Sequence, residues 1–420
     1  MAEALLREAQ ALIPDASPSR PRAPAGDGPS PAPAVPSRTL AGADGVRALA
    51  CLWVFGHHVV LLLDLPQRGV GKLLGRHGPL GVVVLFVLSG FLLARPWWRA
   101  LASGGPPPDL RDYARRRAAR IVPAYAVCLV VSFLAFGAFT TRDGVRLAAG
   151  LAFASAFHPV TYFPVEGNSP CWSLGVEGVF YALLPLVGLA LARGRSLRAG
   201  RLATLGALLL VLAAQAVVVA TVPRPDVPAD ASDLVRLAAT WLPERSPLGL
   251  LPHLLVGVLA GSFVVAPAGD PPRGRGGDVL ALAALAALVV ELAWRGPGAG
   301  LASLDAAWAS RHLPGVHGRF PGFPVAVGAL LVGLARSRTL GRAFDAAPLR
   351  ATATLSYGLY LWHVPVLLGV VAALRPGRGA ADVALVALVG LAGSYAAAWL
   401  SWTFVERPVL RRARARAPSA

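Results

Sequence analysis

Two adjacent histidines, His57 and His58, lie inside the first long apolar stretch of the sequence, and Arg47 lies near its start. In an α-helix, eleven residues of separation place Arg47 and His58 within about 20° of one face and about 16 Å apart, while His57 points about 100° away. A neutral imidazole can accept a proton, so a membrane-embedded histidine is a candidate general base. The residues alone leave two interpretations open: His58 is catalytic, with Arg47 on its stripe, or it only bonds a neighbouring helix.

Two arginines, Arg117 and Arg120, lie where the third apolar stretch begins, directly after Arg115 and Arg116. Side chains three residues apart share a helix face, and two guanidinium groups on one face can hold phosphate groups. The alternative is an ordinary basic flank of a membrane span.

A polar stripe marks the fourth long stretch, where Ser173, Glu177 and Tyr181 recur every four residues. Such side chains lie above one another on one helix face. A carboxylate inside a membrane is costly to bury, which makes Glu177 a candidate functional residue.

A second histidine site is expected in a later stretch, where Ser356 and His363 are seven residues apart and share a helix face. Pro365 interrupts the helical hydrogen bonds near His363 and can open a carbonyl toward a cavity. Counting residues along the spans places His58, Glu177 and His363 at a similar depth.

Metal chemistry is not expected from this sequence. It has no His-Glu-x-x-His pattern, and its three cysteines, Cys51, Cys128 and Cys171, have no metal-binding spacing and no pattern of a disulfide framework. We predict no metal and no bound cofactor.

The composition indicates an all-α polytopic membrane protein, for which the lipid bilayer is an expected partner. The 420 residues are 55% hydrophobic and only 15% charged, and the mean hydropathy is +0.58. The net charge of +18 comes almost entirely from arginines in loops and tails. The sequence shows no interleaving of basic and aromatic residues that would form a groove for nucleic acid, so nucleic acid is not an expected partner. About ten apolar runs have the length of transmembrane helices: 46–64, 79–98, 121–139, 172–192, 202–222, 248–266, 278–294, 320–335, 352–374 and 382–404.

Charge sets the expected topology. Ten spans gather most loop arginines on one side, which the positive-inside rule makes the cytoplasm, so both termini are expected there in a plasma-membrane protein. The run 145–157 is too short for a span and should lie at the outer surface or re-enter. We divide the chain into a disordered N-terminal tail (1–40), a transmembrane domain (41–408) and a basic C-terminal tail (409–420).

Taken together, the sequence resembles the membrane-bound acyltransferase 3 family, whose members acylate sugars, surface polysaccharides and antibiotics. The resemblance covers about 40–408 and follows the order of the family's motifs. The matching segments are 40–50 with His58, 81–91, 117–125, 172–181, 356–363 and 404–408.

The resemblance implies O-acyl transfer from acyl-CoA, as co-substrate, to a hydroxyl of a sugar, glycan or antibiotic. It implies that His58 is the catalytic histidine with Arg47 as its companion, and that Arg117 and Arg120 contact the acyl-CoA. We add Glu177 to the catalytic residues, and expect Ser173, Tyr181, Ser356 and His363 to contact the acceptor or orient the histidine.

The sequence departs from the family pattern at two positions. Val83 stands where an aspartate is frequent, and Gly178 stands where a second acidic residue is frequent, which leaves Glu177 as the carboxylate of its motif. The extracytoplasmic hydrolase-like domain of some members is not expected here. The alternative function is a multi-span transporter of a small polar or lipid-linked substrate, although the paired broken helices of many transporters are not evident.

Overall fold

The fold is a bundle of α-helices. The computed structural model describes residues 40–66, 69–194, 196–222, 227, 231–267, 269–294 and 321–415, and within them it contains helices and no strand. Nine helices of this described part are long and apolar enough to cross a membrane, which confirms the all-α polytopic class. Most of the predicted run 320–335 lies in a shorter apolar helix of 15 residues, Gly322–Arg336. The predicted tail 1–40 lies, except for its last residue, outside the described residues.

The α-helices of five or more residues are numbered in chain order. They are α1 (Ala43–Leu62), α2 (Leu80–Ser103), α3 (Leu110–Phe136), α4 (Thr141–Leu151), α5 (Trp172–Ala192), α6 (Leu197–Thr221), α7 (Asp233–Arg245), α8 (Pro247–Gly261), α9 (Arg275–Trp294), α10 (Gly322–Arg336), α11 (Leu340–Phe344), α12 (Ala347–Leu374), α13 (Ala380–Ser401) and α14 (Arg407–Ala415).

Helix α1 lies at the centre of the bundle, between α2 and α12. Helix α2 packs along α8, α12 packs along α13, and α9 packs along α10. We call the end where α2 finishes and α3 begins the arginine end, because it carries Arg95, Arg99, Arg116 and Arg117. Helices α1 and α12 therefore run from the arginine end to the opposite end.

Glycines allow α2 and α8 to approach closely. A Cβ atom on Gly90 would lie 2.1 Å from the carbonyl oxygen of Leu254, and one on Gly257 would lie 2.0 Å from that of Val87. Small residues at such crossings bring helix backbones into contact, which is how packing stabilises membrane helices that gain nothing from leaving lipid. The indole of Trp98 adds a hydrogen bond to the carbonyl of Val258 at 2.7 Å.

The run 145–157 does not form a span. Helix α4 is amphipathic and only 11 residues long, and its N-terminus is closed by a capping box between Thr140 and Asp143. The chain then enters the bundle, where Ser155, Tyr162 and Asn168 are fully buried. This partly buried segment, residues 152–171, fills the opposite end of the bundle before α5 begins.

The close contact between α2 and α8 yields a stability prediction. Gly90→Ala adds one methyl group against a backbone carbonyl, and we expect a loss of about 1–3 kcal/mol, seen as a lower melting temperature in detergent. Gly206→Ala on α6 is the matched control, because no atom of the part of the chain that the structure describes lies within 4 Å of its Cβ position. Equal melting temperatures for the two variants would contradict this packing.

Candidate active site

The start of α1 is fixed by two glycines. Gly42 has a φ of 78°, a left-handed conformation that favours glycine, and its N–H donates to the Asp345 carboxylate at 2.9 Å. A Cβ on Gly45 would lie 2.1 Å from the carbonyl oxygen of Phe344. These contacts hold the helix turn from which Arg47 projects, and Asp44 pairs with Arg47 at 3.2 Å.

A cavity of about 880 Å³ opens among α1, α2, α3, α5 and α12. Its size is in the range that binds small molecules and cofactors. Its inner part is lined by Cys51, Ser173, Ser356 and Tyr360. Six arginines also line it: Arg47, Arg95, Arg99, Arg116, Arg117 and Arg120. The structure thus brings Arg47 into the same cavity as the predicted pair Arg117 and Arg120, and the cavity suits an anionic ligand.

Arg120 is held from three sides. Its guanidinium pairs at 2.7 Å with the buried carboxylate of Glu406 and lies over the rings of Tyr357 and Trp402, 5.5 and 5.4 Å from their centroids. Glu406 also accepts from Ser401 at 3.3 Å. Sequence reasoning did not assign Glu406 to the site, although it is the carboxylate of the family-like segment 404–408.

Arg117 differs from Arg120 in its surroundings. It is half-buried and lines the same cavity, but no carboxylate of the described residues forms an ion pair with it. Its charge acts through space on Glu177 and Tyr181. A partly buried guanidinium without a counter-ion favours the binding of an anion.

Glu177 lies on the cavity wall and accepts two hydrogen bonds. The hydroxyl of Ser89 on α2 donates to it at 3.0 Å, and the Tyr181 hydroxyl donates one turn further along α5. The stripe predicted for α5 is therefore real between Glu177 and Tyr181. Ser89 is a second residue that sequence reasoning did not assign to the site, although it belongs to the family-like segment 81–91.

Ser173 and Tyr360 join α5 to α12 at the inner end of the cavity. Their hydroxyl oxygens are 2.6 Å apart, and both hydroxyls also lie within reach of the Pro170 carbonyl oxygen, at 3.0 and 3.2 Å. Ser356 lies one turn closer to the arginine end, where its carbonyl accepts from the thiol of Cys51 at 3.4 Å.

His58 and His363 form a hydrogen-bonded dyad. Nδ1 of His363 lies 2.8 Å from the Tyr360 carbonyl oxygen, which can only accept, so this nitrogen carries a proton. In the neutral ring, Nε2 of His363 is then an acceptor, and it lies 3.1 Å from Nδ1 of His58, which also faces the Val54 carbonyl at 2.9 Å. Nδ1 of His58 must therefore carry the proton, and its Nε2 has a free lone pair.

His57 takes no part in this dyad bond. Its Nδ1 donates instead to the carbonyl of Leu74 at 3.2 Å, on the turn between α1 and α2. This agrees with the helical phase, which separates His57 from the stripe of Arg47 and His58.

The predicted common depth is wrong for Glu177. Ser173 is level with Tyr360, one turn before His363, and Glu177 lies one further turn toward the arginine end, within electrostatic range of Arg47 and Arg117. The sequence count failed because residues 152–171 enter the bundle and α5 begins well inside it. Among the described residues, neither histidine of the dyad lines the arginine-lined cavity.

The match to a known family decides the identity of this bundle. The model of the acyltransferase domain of the acyltransferase 3 family matches residues 40–403. The chain belongs to the acyltransferase 3 family. Because the match covers nearly all of the described helices, the transporter alternative loses its support.

Several acyltransferase 3 relatives are known by name. The peptidoglycan O-acetyltransferase OatA of Listeria monocytogenes is 26% identical over 400 residues, which are 87% of this chain and 55% of the relative. YrhL of Bacillus subtilis is 26% identical over 79% of this chain and 49% of its own length. The O-acetyltransferase OatA of Staphylococcus aureus is 30% identical over 165 residues, 36% of this chain and 25% of the relative.

The chain thus spans about half the length of the first two of these relatives. No solved structure matches it significantly.

The buried ion pair at the cavity yields a second stability prediction. Glu406→Ala leaves Arg120 without its counter-ion in a partly buried site, and we expect a loss of about 3 kcal/mol in a denaturant titration. The control is Arg378→Ala, which breaks the exposed pair with Asp64, whose side chains are 66% and 83% exposed. That change should cost at most about 1 kcal/mol. A similar loss of unfolding free energy in both variants would show that the buried pair of Arg120 and Glu406 contributes no more than an exposed pair.

Proposed function

We propose that the protein is an integral-membrane O-acyltransferase that moves an acyl group, acetyl in the first instance, from acyl-CoA to a hydroxyl group. The observation that carries the proposal is the arrangement along α1 and α12. An arginine-lined cavity ends at Tyr360, and the Tyr360 carbonyl accepts the hydrogen bond that sets the tautomer of the His363–His58 dyad. Family membership and the names of the O-acetyltransferase relatives support it.

The donor would enter from the arginine end. Arg117 and Arg120 lie on one face of α3 toward the cavity, and arginine suits phosphate groups because its planar guanidinium donates two parallel hydrogen bonds. We place this end in the cytoplasm of the cell, with both termini, because basic residues concentrate there and CoA is cytosolic. The membrane would be the plasma membrane.

The inner end of the cavity would receive the thioester. A chain that extends from the phosphates past Arg47 and Glu177 reaches Ser173 and Tyr360, one helical turn from the dyad. Ser356 lines this part of the cavity as well. The hydroxyl groups of Ser173, Ser356 and Tyr360 can orient the acyl carbonyl or the acceptor hydroxyl here. Contact with the acceptor is one of the roles that we expect for Ser173 and Ser356 from the sequence.

His58 would act as the general base. Its Nε2 takes the proton of the acceptor hydroxyl while the oxygen bonds to the thioester carbonyl carbon. The tetrahedral intermediate then collapses, the carbon–sulfur bond breaks, and the imidazolium returns its proton to the leaving CoA sulfur. General-base help of this kind accelerates a reaction by about 10²–10⁴-fold.

Glu177 has a positioning role in this scheme. Its carboxylate accepts from Ser89 and Tyr181 and shares the cavity wall with Arg47 and Arg117. It would therefore offset part of the positive charge of Arg47 and Arg117 through space, without a direct ion pair to either. The acceptor would be a hydroxyl of a sugar, a glycan or a secondary metabolite, approached from the opposite end.

Loss of the base gives the first test of the function. In purified protein with labelled acetyl-CoA and a glycan acceptor, His58→Ala should lower turnover by about 10²–10⁴-fold without weakening binding of acetyl-CoA. His57→Ala is the neighbouring control and should retain most activity, since its ring bonds the Leu74 carbonyl instead of His363. Full turnover by His58→Ala would remove His58 from the mechanism, and failure of the wild type to bind acyl-CoA would refute the function.

The partner histidine gives a separate test. His363→Phe removes the acceptor that holds the proton on Nδ1 of His58, although the Val54 carbonyl still accepts it. We expect kcat to fall about 10- to 100-fold, less than on loss of the base itself, with KM for acetyl-CoA unchanged. The profile of kcat against pH should also shift. An unchanged profile would mean that His363 only packs against His58.

A further inference from the structure

Two arginines at the end of α2 form a separate basic pair. Arg95 and Arg99 are four residues apart on one face of the helix and line the cavity near the arginine end. They lie on a different helix from Arg117 and Arg120, which the proposed function uses for the donor. Nothing in the proposed reaction yet requires them.

Both arginines bind the same carboxylate. A terminal nitrogen of Arg95 lies 2.5 Å from Asp270, and one of Arg99 lies 2.9 and 3.1 Å from its two oxygens. Arg95 is only 8% exposed, and its buried Nε–H has no hydrogen-bond partner among the described residues. The pair therefore has donor capacity that one carboxylate does not fill.

Asp270 differs from the other carboxylates that pair with cavity arginines. Asp44 and Asp112 belong to the same helices as the arginines they bind, and Glu406 is buried. Asp270 instead comes from the loop between α8 and α9, and its side chain is 41% exposed. It can return to water at a smaller cost in free energy than a buried group, so it is the counter-ion most easily replaced.

Asp270 remains charged at neutral pH. Partial burial works against its ionisation, but hydrogen bonds from Arg99 and Arg95 hold the pKa of this carboxyl below its usual range. The contribution of these bonds is lost only as the pH falls below the usual range for aspartate. At pH 6 to 8, a competing ligand must therefore displace a carboxylate anion.

We propose that Arg95 and Arg99 form a second phosphate subsite, which binds the nucleotide phosphates of the acyl-CoA donor when Asp270 leaves. The 3′-phosphate of CoA is a monoester, which carries more negative charge than a carboxylate and offers three acceptor oxygens, so it can satisfy donors that Asp270 leaves free. This proposal rests on the proposed function, because it assumes an acyl-CoA donor. Asp270 then competes with the donor and sets its affinity.

Truncated donors test the subsite directly. Turnover is measured in nanodiscs with acetyl-CoA and with S-acetyl-4′-phosphopantetheine, which lacks the adenosine and its phosphates. Arg99→Gln should raise KM for acetyl-CoA about tenfold, the usual effect of losing a charged hydrogen bond, and leave KM for the truncated donor unchanged. Arg198→Gln is the control, because Arg198 is an exposed arginine at the same end and outside the cavity lining.

Removal of the competing carboxylate should change KM for acetyl-CoA in the opposite direction. Asp270→Asn keeps the shape of the side chain without its charge, and KM for acetyl-CoA should fall several-fold. An unchanged or higher KM in a folded Asp270→Asn protein would overturn the competition. If Asp270→Asn does not fold, Arg99→Gln decides alone.

Other outcomes separate the alternatives. If Arg99→Gln raises KM equally for both donors, Arg95 and Arg99 do not bind the nucleotide phosphates and the proposal is wrong. If its effect disappears when anionic lipid is omitted from the nanodiscs, a lipid headgroup occupies the pair, and the proposal is again wrong. A wild type that uses no acyl-CoA at all refutes the proposed function, whereas normal use with unaltered variants refutes only this subsite.

Discussion

The structure depends on one constraint: guanidinium groups inside a membrane bundle must face a cavity or a carboxylate. Six arginines line one cavity, and the bundle provides counter-ions from α1, α3, the α8–α9 loop and the segment before α14. Two of these pairs link segments that are far apart in sequence, since Arg120 and Glu406 are 286 residues apart and Arg95 and Asp270 are 175 residues apart. The ionic network therefore defines the cavity and also closes the bundle around it.

The polar groups follow the cavity inward in a fixed order. Arginines and Glu177 lie toward the arginine end, the Ser173–Tyr360 pair lies at the inner end, and His363 with His58 follows one turn later. Adjacent residues of α2 face different neighbours: Gly90 contacts the backbone of α8, whereas Ser89 donates to Glu177 on α5.

Much of this arrangement could be predicted from the sequence. Apolar run lengths give the helices, and the helical period alone separates His57 from His58, because both depend only on local geometry. Glu406 and Asp270 could not be assigned, since their roles come from contacts made 286 and 175 residues away. The predicted depth of Glu177 was wrong for the same kind of reason. Residues 152–171 fold into the bundle, and no local sequence pattern determines how deeply a loop enters.

The dyad limits the charge that this end of the bundle can hold. His363 donates from Nδ1 to the Tyr360 carbonyl, so a second proton on it would sit on Nε2 and point at Nδ1 of His58. His58 would then have to move its own proton to Nε2, and the lone pair that faces away from the dyad would be lost. The proposed general-base action of His58 therefore requires a neutral His363, and it depends on the backbone carbonyls of Tyr360 and Val54 as well as on the two rings, because these carbonyls fix the two tautomers.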